Sequence, residues 1–150
     1  MTIMGDGYQT TIDFSSSEMT SDALVLALME EKEITVPGIS GGGANDASTM
    51  RNETWRTMSP KSLRTLTPMT AVVAWDPALY DEMVAMLNDN QLITVTFPDG
   101  ATLAFWGWID DFAPGAQVEG AQPTATITII PSNQDADNND AEIAPVYTAP

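Results

Sequence analysis

The segment Phe105-Trp106-Gly107-Trp108-Ile109 is apolar on both sides of an extended chain. Successive strand side chains project to opposite faces, so Phe105, Gly107 and Ile109 point one way while Trp106 and Trp108 point the other. A small antiparallel sheet normally buries one face and leaves the other wet. Phe105, Trp106, Trp108 and Ile109 therefore need cover on two sides, from a closed two-layer core or from another subunit. The flanking residues place this segment in the middle of three strands. Ile93, Val95 and Phe97 alternate with Thr94 and Thr96, and Pro98-Asp99-Gly100 then makes a tight hairpin with Gly100 free to take positive φ. After Ala101–Phe112 and a turn at Pro114-Gly115, Ala125, Ile127 and Ile129 alternate with Thr124, Thr126 and Thr128 until Pro131 ends the strand.

Upstream, residues 1–7 read as a lead-in and Tyr8–Phe14 as a strand. Ala23–Val36 is ambiguous: Leu24, Leu28 and Glu30-Glu31 favour helix, whereas Val25, Ile34, Thr35 and Val36 favour strand. Gly41-Gly42-Gly43 opens a long loop. Thr65–Trp75 reads as a strand with Ala71, Val73 and Trp75 on one face. A helix is expected from Asp76-Pro77, because Asp is a good N-cap and proline at the first helical position forfeits no bond. Its buried stripe is Leu79, Met83, Met86 and Leu87, with Asp81, Glu82 and Ala85 outside it. Residues 1–131 form one domain in this reading, and 132–150, acidic and Asn-rich, an arm with little core of its own.

Charge narrows the function. There are 21 acidic and 5 basic residues, a net charge of −16, and all five bases lie before residue 65. Wrapping nucleic acid needs Lys and Arg to displace phosphate counterions, so that role is excluded, although repelling DNA is not. Cysteine and histidine are absent, which removes disulfides and thiolate or imidazole chemistry. The N-terminal residues do not read as a signal peptide, and the apolar run Ala23–Met29 is too short to span a bilayer, so no membrane binding is expected.

Candidate chemistry is thin. Asp110 and Asp111, as strand neighbours, point to opposite faces and make a poor acid–base dyad. Asp135-Ala136-Asp137 starts like a calcium loop, but Asp140 stands where glycine belongs and Val146 where the bidentate Glu belongs. Gly41-Gly42-Gly43 lacks the Lys-Ser/Thr of a phosphate loop. We expect no catalytic, metal or cofactor residues. Arg51, Arg56, Lys61 and Arg64, interleaved with Trp55 and Pro60, form a basic stretch in an acidic chain. It is either a solvated loop or a docking arm for an acidic neighbour, where complementary charge sets register more than affinity.

A series of short matches now bears on identity: Pro37-Gly38-Ile39-Ser40-Gly41-Gly42; Thr49-Met50-Arg51-Asn52 with Trp55-Arg56-Thr57; Pro60-Lys61 with Leu63 and Thr65-Leu66-Thr67; Trp75-Asp76-Pro77 with Tyr80. Asn90 to Gly100, Phe105-Trp106-Gly107, Phe112-Ala113-Pro114-Gly115 and Glu119-Gly120 with Gln122-Pro123-Thr124 extend it. In this order, from about Tyr8 to Pro150, the chain resembles the major tail tube proteins of long, non-contractile-tailed bacteriophages. The resemblance implies a mainly β fold, a sandwich or barrel of antiparallel strands with one flanking helix, a long loop and a C-terminal arm. It also implies that Ala23–Val36 is extended.

Functionally, the resemblance implies a virion protein assembled in the bacterial host's cytoplasm, six copies to a ring, with rings stacked into a tail tube that conducts DNA without binding it. Tape-measure, tail-terminator and tail-tip proteins are the implied partners, beside copies of the chain itself. The inter-ring loop would carry Arg51, Trp55, Arg56, Lys61 and Arg64. The subunit interface or core would hold Phe105, Trp106, Trp108 and Ile109, and Asp110, Asp111 and Glu119 are candidates for the channel wall. Two alternatives stand beside it: another ring of the same fold, such as a tail terminator or a needle-like secretion ring, and a small acidic enzyme.

Overall fold

The computed structural model describes residues 10–15 and 31–150. The expectations for residues 1–9 and for Ala23–Glu30 lie outside them. The scaffold is an antiparallel, curled sheet built from β1 (Thr11–Phe14), β2 (Glu31–Thr35), β7 (Met69–Ala74), β8 (Gln91–Thr96), β9 (Thr102–Pro114), β10 (Thr124–Pro131) and β13 (Val146–Thr148). Its order is β1-β8-β9-β10-β7-β2, with β13 pairing on β9. Short strands β3 (Ile39–Ser40), β4 (Ala44–Asp46), β5 (Met58–Pro60) and β6 (Thr65–Leu66) lie apart from it, as do β11 (Gln134–Asp135) and β12 (Ala141–Glu142). One α-helix, α1 (Pro77–Met86), lies among the described residues and starts where Asp76-Pro77 predicts.

The alternation read in the sequence builds the concave face. Met69, Ala71, Val73, Ile93, Val95, Phe105, Ile109, Ala125, Ile127 and Ile129 are all buried in one cluster with Ile12 and Phe14. Met83 and Met86 of α1 are fully buried in the same cluster, so the helix closes the open side of the curl. Glu82, expected outside the buried stripe, is itself buried. The hairpin at Pro98-Asp99-Gly100 forms as expected: Phe97 N–H donates to Ala101 C=O at 2.9 Å, and Gly100 has φ +91°.

Three departures from the sequence reading have local causes. The Thr65–Trp75 strand is broken at Thr67-Pro68, because proline offers no N–H to a ladder. Trp75 falls beyond β7 but still packs against the core with Ala71 and Val73, and its ring meets Phe112 and Tyr80 at centroid distances of 5.9 and 6.3 Å. Between β9 and β10 the register slips: Thr128 faces Asp111 and Ile129 faces Ile109, so Asp110 is the extra residue of a β-bulge. The bulge shifts the alternation by one. Phe112 rather than Asp111 packs on the core, and Asp110 and Asp111 are both exposed.

On the convex face Trp106 is 8% exposed and Trp108 half-buried. The chain after Pro131 supplies part of the cover. Ser132 N–H donates to Trp106 C=O at 2.8 Å, Ser132 Oγ donates to Asn90 Oδ1 at 2.7 Å, and Val146–Thr148 pair with Ala104–Thr102. Gly107 marks the tightest approach, since a Cβ there would sit 2.6 Å from the Ile130 carbonyl oxygen. We expect Gly107→Val to cost roughly 1–3 kcal/mol or more in urea unfolding, as overpacking against backbone does. Gly41→Ala, with nothing within 4 Å, leaves the midpoint unchanged.

Candidate functional site: an uncovered two-stranded arm

Between Gly38 and Thr67 the chain leaves the sheet and returns as a ribbon. At its base Thr67 N–H donates to Gly38 C=O at 2.8 Å, and Gly38 N–H donates to Thr67 Oγ1 at 2.8 Å. Ile39 and Ser40 pair with Leu66 and Thr65, and Ala44, Asn45 and Asp46 pair with Pro60, Ser59 and Met58. Gly42 and Gly43, with φ near +85°, turn the outgoing strand between the two ladders. The long loop expected to open at Gly41-Gly42-Gly43 is therefore hydrogen-bonded along much of its length.

The tip is closed by short polar side chains. Asp46 Oδ1 accepts from Ser48 N–H at 2.9 Å, Ser48 Oγ accepts from Thr57 N–H at 2.9 Å, and Ala47 N–H donates to Thr57 C=O at 2.8 Å. Asn52 spans the turn, accepting from Thr49 N–H at 3.0 Å and donating to Trp55 C=O at 2.7 Å. Arg56 Nη1 meets Asp46 Oδ2 at 2.6 Å. The Ser48 N–H, then the Ser48 hydroxyl, hold the Asp46 carboxyl below its ordinary value of 3.8, and Arg56 acts in the same direction.

No second layer backs this ribbon among the described residues. Trp55 is 82% exposed, Leu63 79% and Ile39 70%, and Met50 and Met58 are also exposed. A two-stranded ribbon alone in water is marginally stable, and large apolar side chains grouped on one exposed feature mark an interaction surface. Arg51, Lys61 and Arg64 are exposed, with no carboxylate in ion-pair reach among the described residues.

The sequence-derived residues thus separate. Arg51, Trp55, Arg56, Lys61 and Arg64 do share one arm, but Arg56 is engaged within it. Phe105 and Ile109 lie in the core, Trp106 is covered within the chain, and Trp108 stays half-exposed. Asp110 and Asp111 sit on the bulge of β9, and Glu119 lies in the exposed connection between β9 and β10. Asp135, the first acid of the calcium-like stretch, caps a short 3-10 turn by accepting from Asp137 N–H. Sequence reasoning missed Ile39, Met50, Met58 and Leu63. Their signal was apolar side chains recurring through a Gly-, Ser- and Asn-rich stretch that has no strand long enough to bury them.

No family model matches the chain, and no curated protein matches its sequence. Solved structures do match its fold. A chain from the virion of a native gene transfer agent particle aligns at TM-score 0.62 and 12% identity, over 97% of this chain and 100% of that one. A chain from the tail of an empty gene transfer agent particle, solved by helical refinement with C6 symmetry, aligns at TM-score 0.62 and 11% identity with the same coverage. The Dit protein of phage SPP1 aligns at only 0.47, with 14% identity over 83% of this chain and 50% of that one, too low for an argument about fold. At 11–12% identity the shared property is the architecture: a curled antiparallel sheet with one short helix.

The depressed Asp46 carboxyl gives a pH expectation. A carboxyl with a lowered folded-state value stabilises its surroundings fully above its ordinary 3.8 and loses that contribution as pH falls through the folded value. Below 3.8 the tip, Ser48–Arg56, should gain amide exchange while the amides of β8 and β10 keep theirs. Asp46→Asn should show the loosened tip already at neutral pH and no further acid step.

Proposed function

We propose that this chain is a self-assembling structural subunit of a phage-like particle tail, closing in six copies to a ring that stacks into the tail tube. The observation that carries this reading is the arm from Gly38 to Thr67, an ordered ribbon with five exposed large apolar side chains and no cover among the described residues. Burying each such side chain contributes roughly 1.5–3 kcal/mol, enough over several contacts to hold copies together. Heterologous contacts of this kind, one patch on a different patch, generate rings when the rotation closes. The likeness of the whole chain to one from a C6-symmetric tail supports the same reading.

The charge supports a conduit. From residue 65 onward there are twelve acids and no base. A wall of such carboxylates repels phosphate within about one Debye length, ~8 Å at physiological salt, so DNA slides past without being held. In this reading the protein resides in the tail, is assembled in the cytoplasm of the bacterial host, and meets tape-measure, terminator and tip proteins at the ends of the tube. It performs no chemistry.

Replacing Trp55 and Met58 together by Asp tests this. The variant should keep the far-ultraviolet circular dichroism and unfolding midpoint of the parent, because both side chains lie outside the core. In negative-stain micrographs the parent should form rings or tubes and the variant should not. Parent and variant that are equally monomeric at high concentration would remove the proposal.

A further inference from the structure

A second exposed apolar surface lies where α1 crosses β9. Tyr80 and Val84, one turn apart on α1, are each 47% exposed. Trp75 and Phe112 pack on Tyr80, with ring centroids 6.3 and 6.2 Å away, and hold its ring outward. The C-terminal end of α1 is tied to the same strand, since Asn88 N–H donates to Ile109 C=O at 3.0 Å, one residue before the bulge. The face is therefore a rigid aromatic and aliphatic ridge bordered by Asp81 on the helix and Asp110 and Asp111 on the bulge, all exposed. No base occurs on α1, β8, β9 or β10.

The arm has the opposite pattern. Met50, Trp55 and Leu63 give it an apolar surface, and Arg51, Lys61 and Arg64 border it without acidic partners among the described residues. Within one chain the two surfaces do not meet, since both stay exposed. We infer that the arm of one copy seats on the α1–β9 face of a second copy, with apolar residues at the centre and Arg51 and Arg64 against Asp110 and Asp111 at the rim. This rests on the reading of the chain as a self-assembling subunit and names the receiving surface. Opposed rim charges select this face and fix its register, while apolar burial at the centre supplies the affinity. Arg56 takes no part, because Asp46 already holds it.

The absence of cysteine makes the test direct. Two single variants, Met50→Cys and Val84→Cys, are mixed in equal amounts, treated with a short bis-maleimide and run on a denaturing gel. A mixed dimer should dominate, and the doubly substituted chain should give a ladder of covalent oligomers. Only like-with-like products would overturn the inference. Micrographs of the same mixtures separate the two levels: rings or tubes without mixed dimers sink the docking face alone, whereas an absence of any particle removes the parent reading and the inference together.

A charge exchange gives an independent readout. Arg51→Glu with Arg64→Glu should raise the concentration needed for assembly about tenfold. Adding Asp110→Lys and Asp111→Lys to the same chain should return it to within about threefold of the parent. Rescue by Asp137→Lys with Glu142→Lys instead would place the acidic partner on the C-terminal segment and overturn the assignment.

Discussion

The rest of the molecule is arranged around one strand. Over its first residues β9 pairs with β8 on one side and β13 on the other, and over its later residues it pairs with β10, so among the described strands it joins the two halves of the sheet. Its two apolar parities make this necessary. Phe105 and Ile109 draw the concave core together, and the convex parity draws the chain after Pro131 across Trp106. Gly107 permits the close passage of Ile130 and Pro131 that this arrangement demands. The bulge at Asp110 then resets the parity, so that the strand leaves the core with Phe112 pointing in and two carboxylates pointing out.

That geometry separates the two indoles for which the sequence left core and subunit interface open: Trp106 is buried within its own chain, while Trp108 stays half-buried. A neighbour in the fold, not a neighbouring molecule, covers most of Trp106. Much of the uncovered apolar area lies on the Gly38–Thr67 arm and the α1 ridge, over which none of the described residues packs. The two-stranded arm has little intrinsic stability of its own, because no second layer shields its hydrogen bonds among the described residues. Its polar tip, with Asp46, Ser48 and Asn52 each bonded locally, fixes the shape of the arm but adds no core. An element that is shaped yet unsupported is what an assembly contact requires before its partner arrives.

Much of the scaffold was legible. Strict alternation in β8 and β10, the Pro98-Asp99-Gly100 turn and the Asp76-Pro77 helix start each carry their own local physics, and each forms in place. The legible part ends where partners decide. The bulge depends on a register between Thr128 and Asp111, and no feature of either residue announces it. The ribbon depends on pairing Ala44 with Pro60 across a Gly- and Ser-rich stretch whose strand propensity is low. The basic residues of the arm were visible as a group, but only the fold divides Arg56, bound to Asp46, from Arg51, Lys61 and Arg64. Similarity to tail proteins, inferred from ordered short motifs, is matched at the level of fold by chains sharing only 11–12% of residues.

The central claim is that the arm is completed by another copy of the chain. Amide hydrogen exchange, followed residue by residue in dilute and in concentrated protein, measures this directly. The account predicts strong protection of β8, β9 and β10 at both concentrations, and protection of Ala44–Ala47 and Thr57–Ser59 that appears only on concentration. An arm equally protected in dilute, monomeric protein, or one unprotected at every concentration, would contradict it.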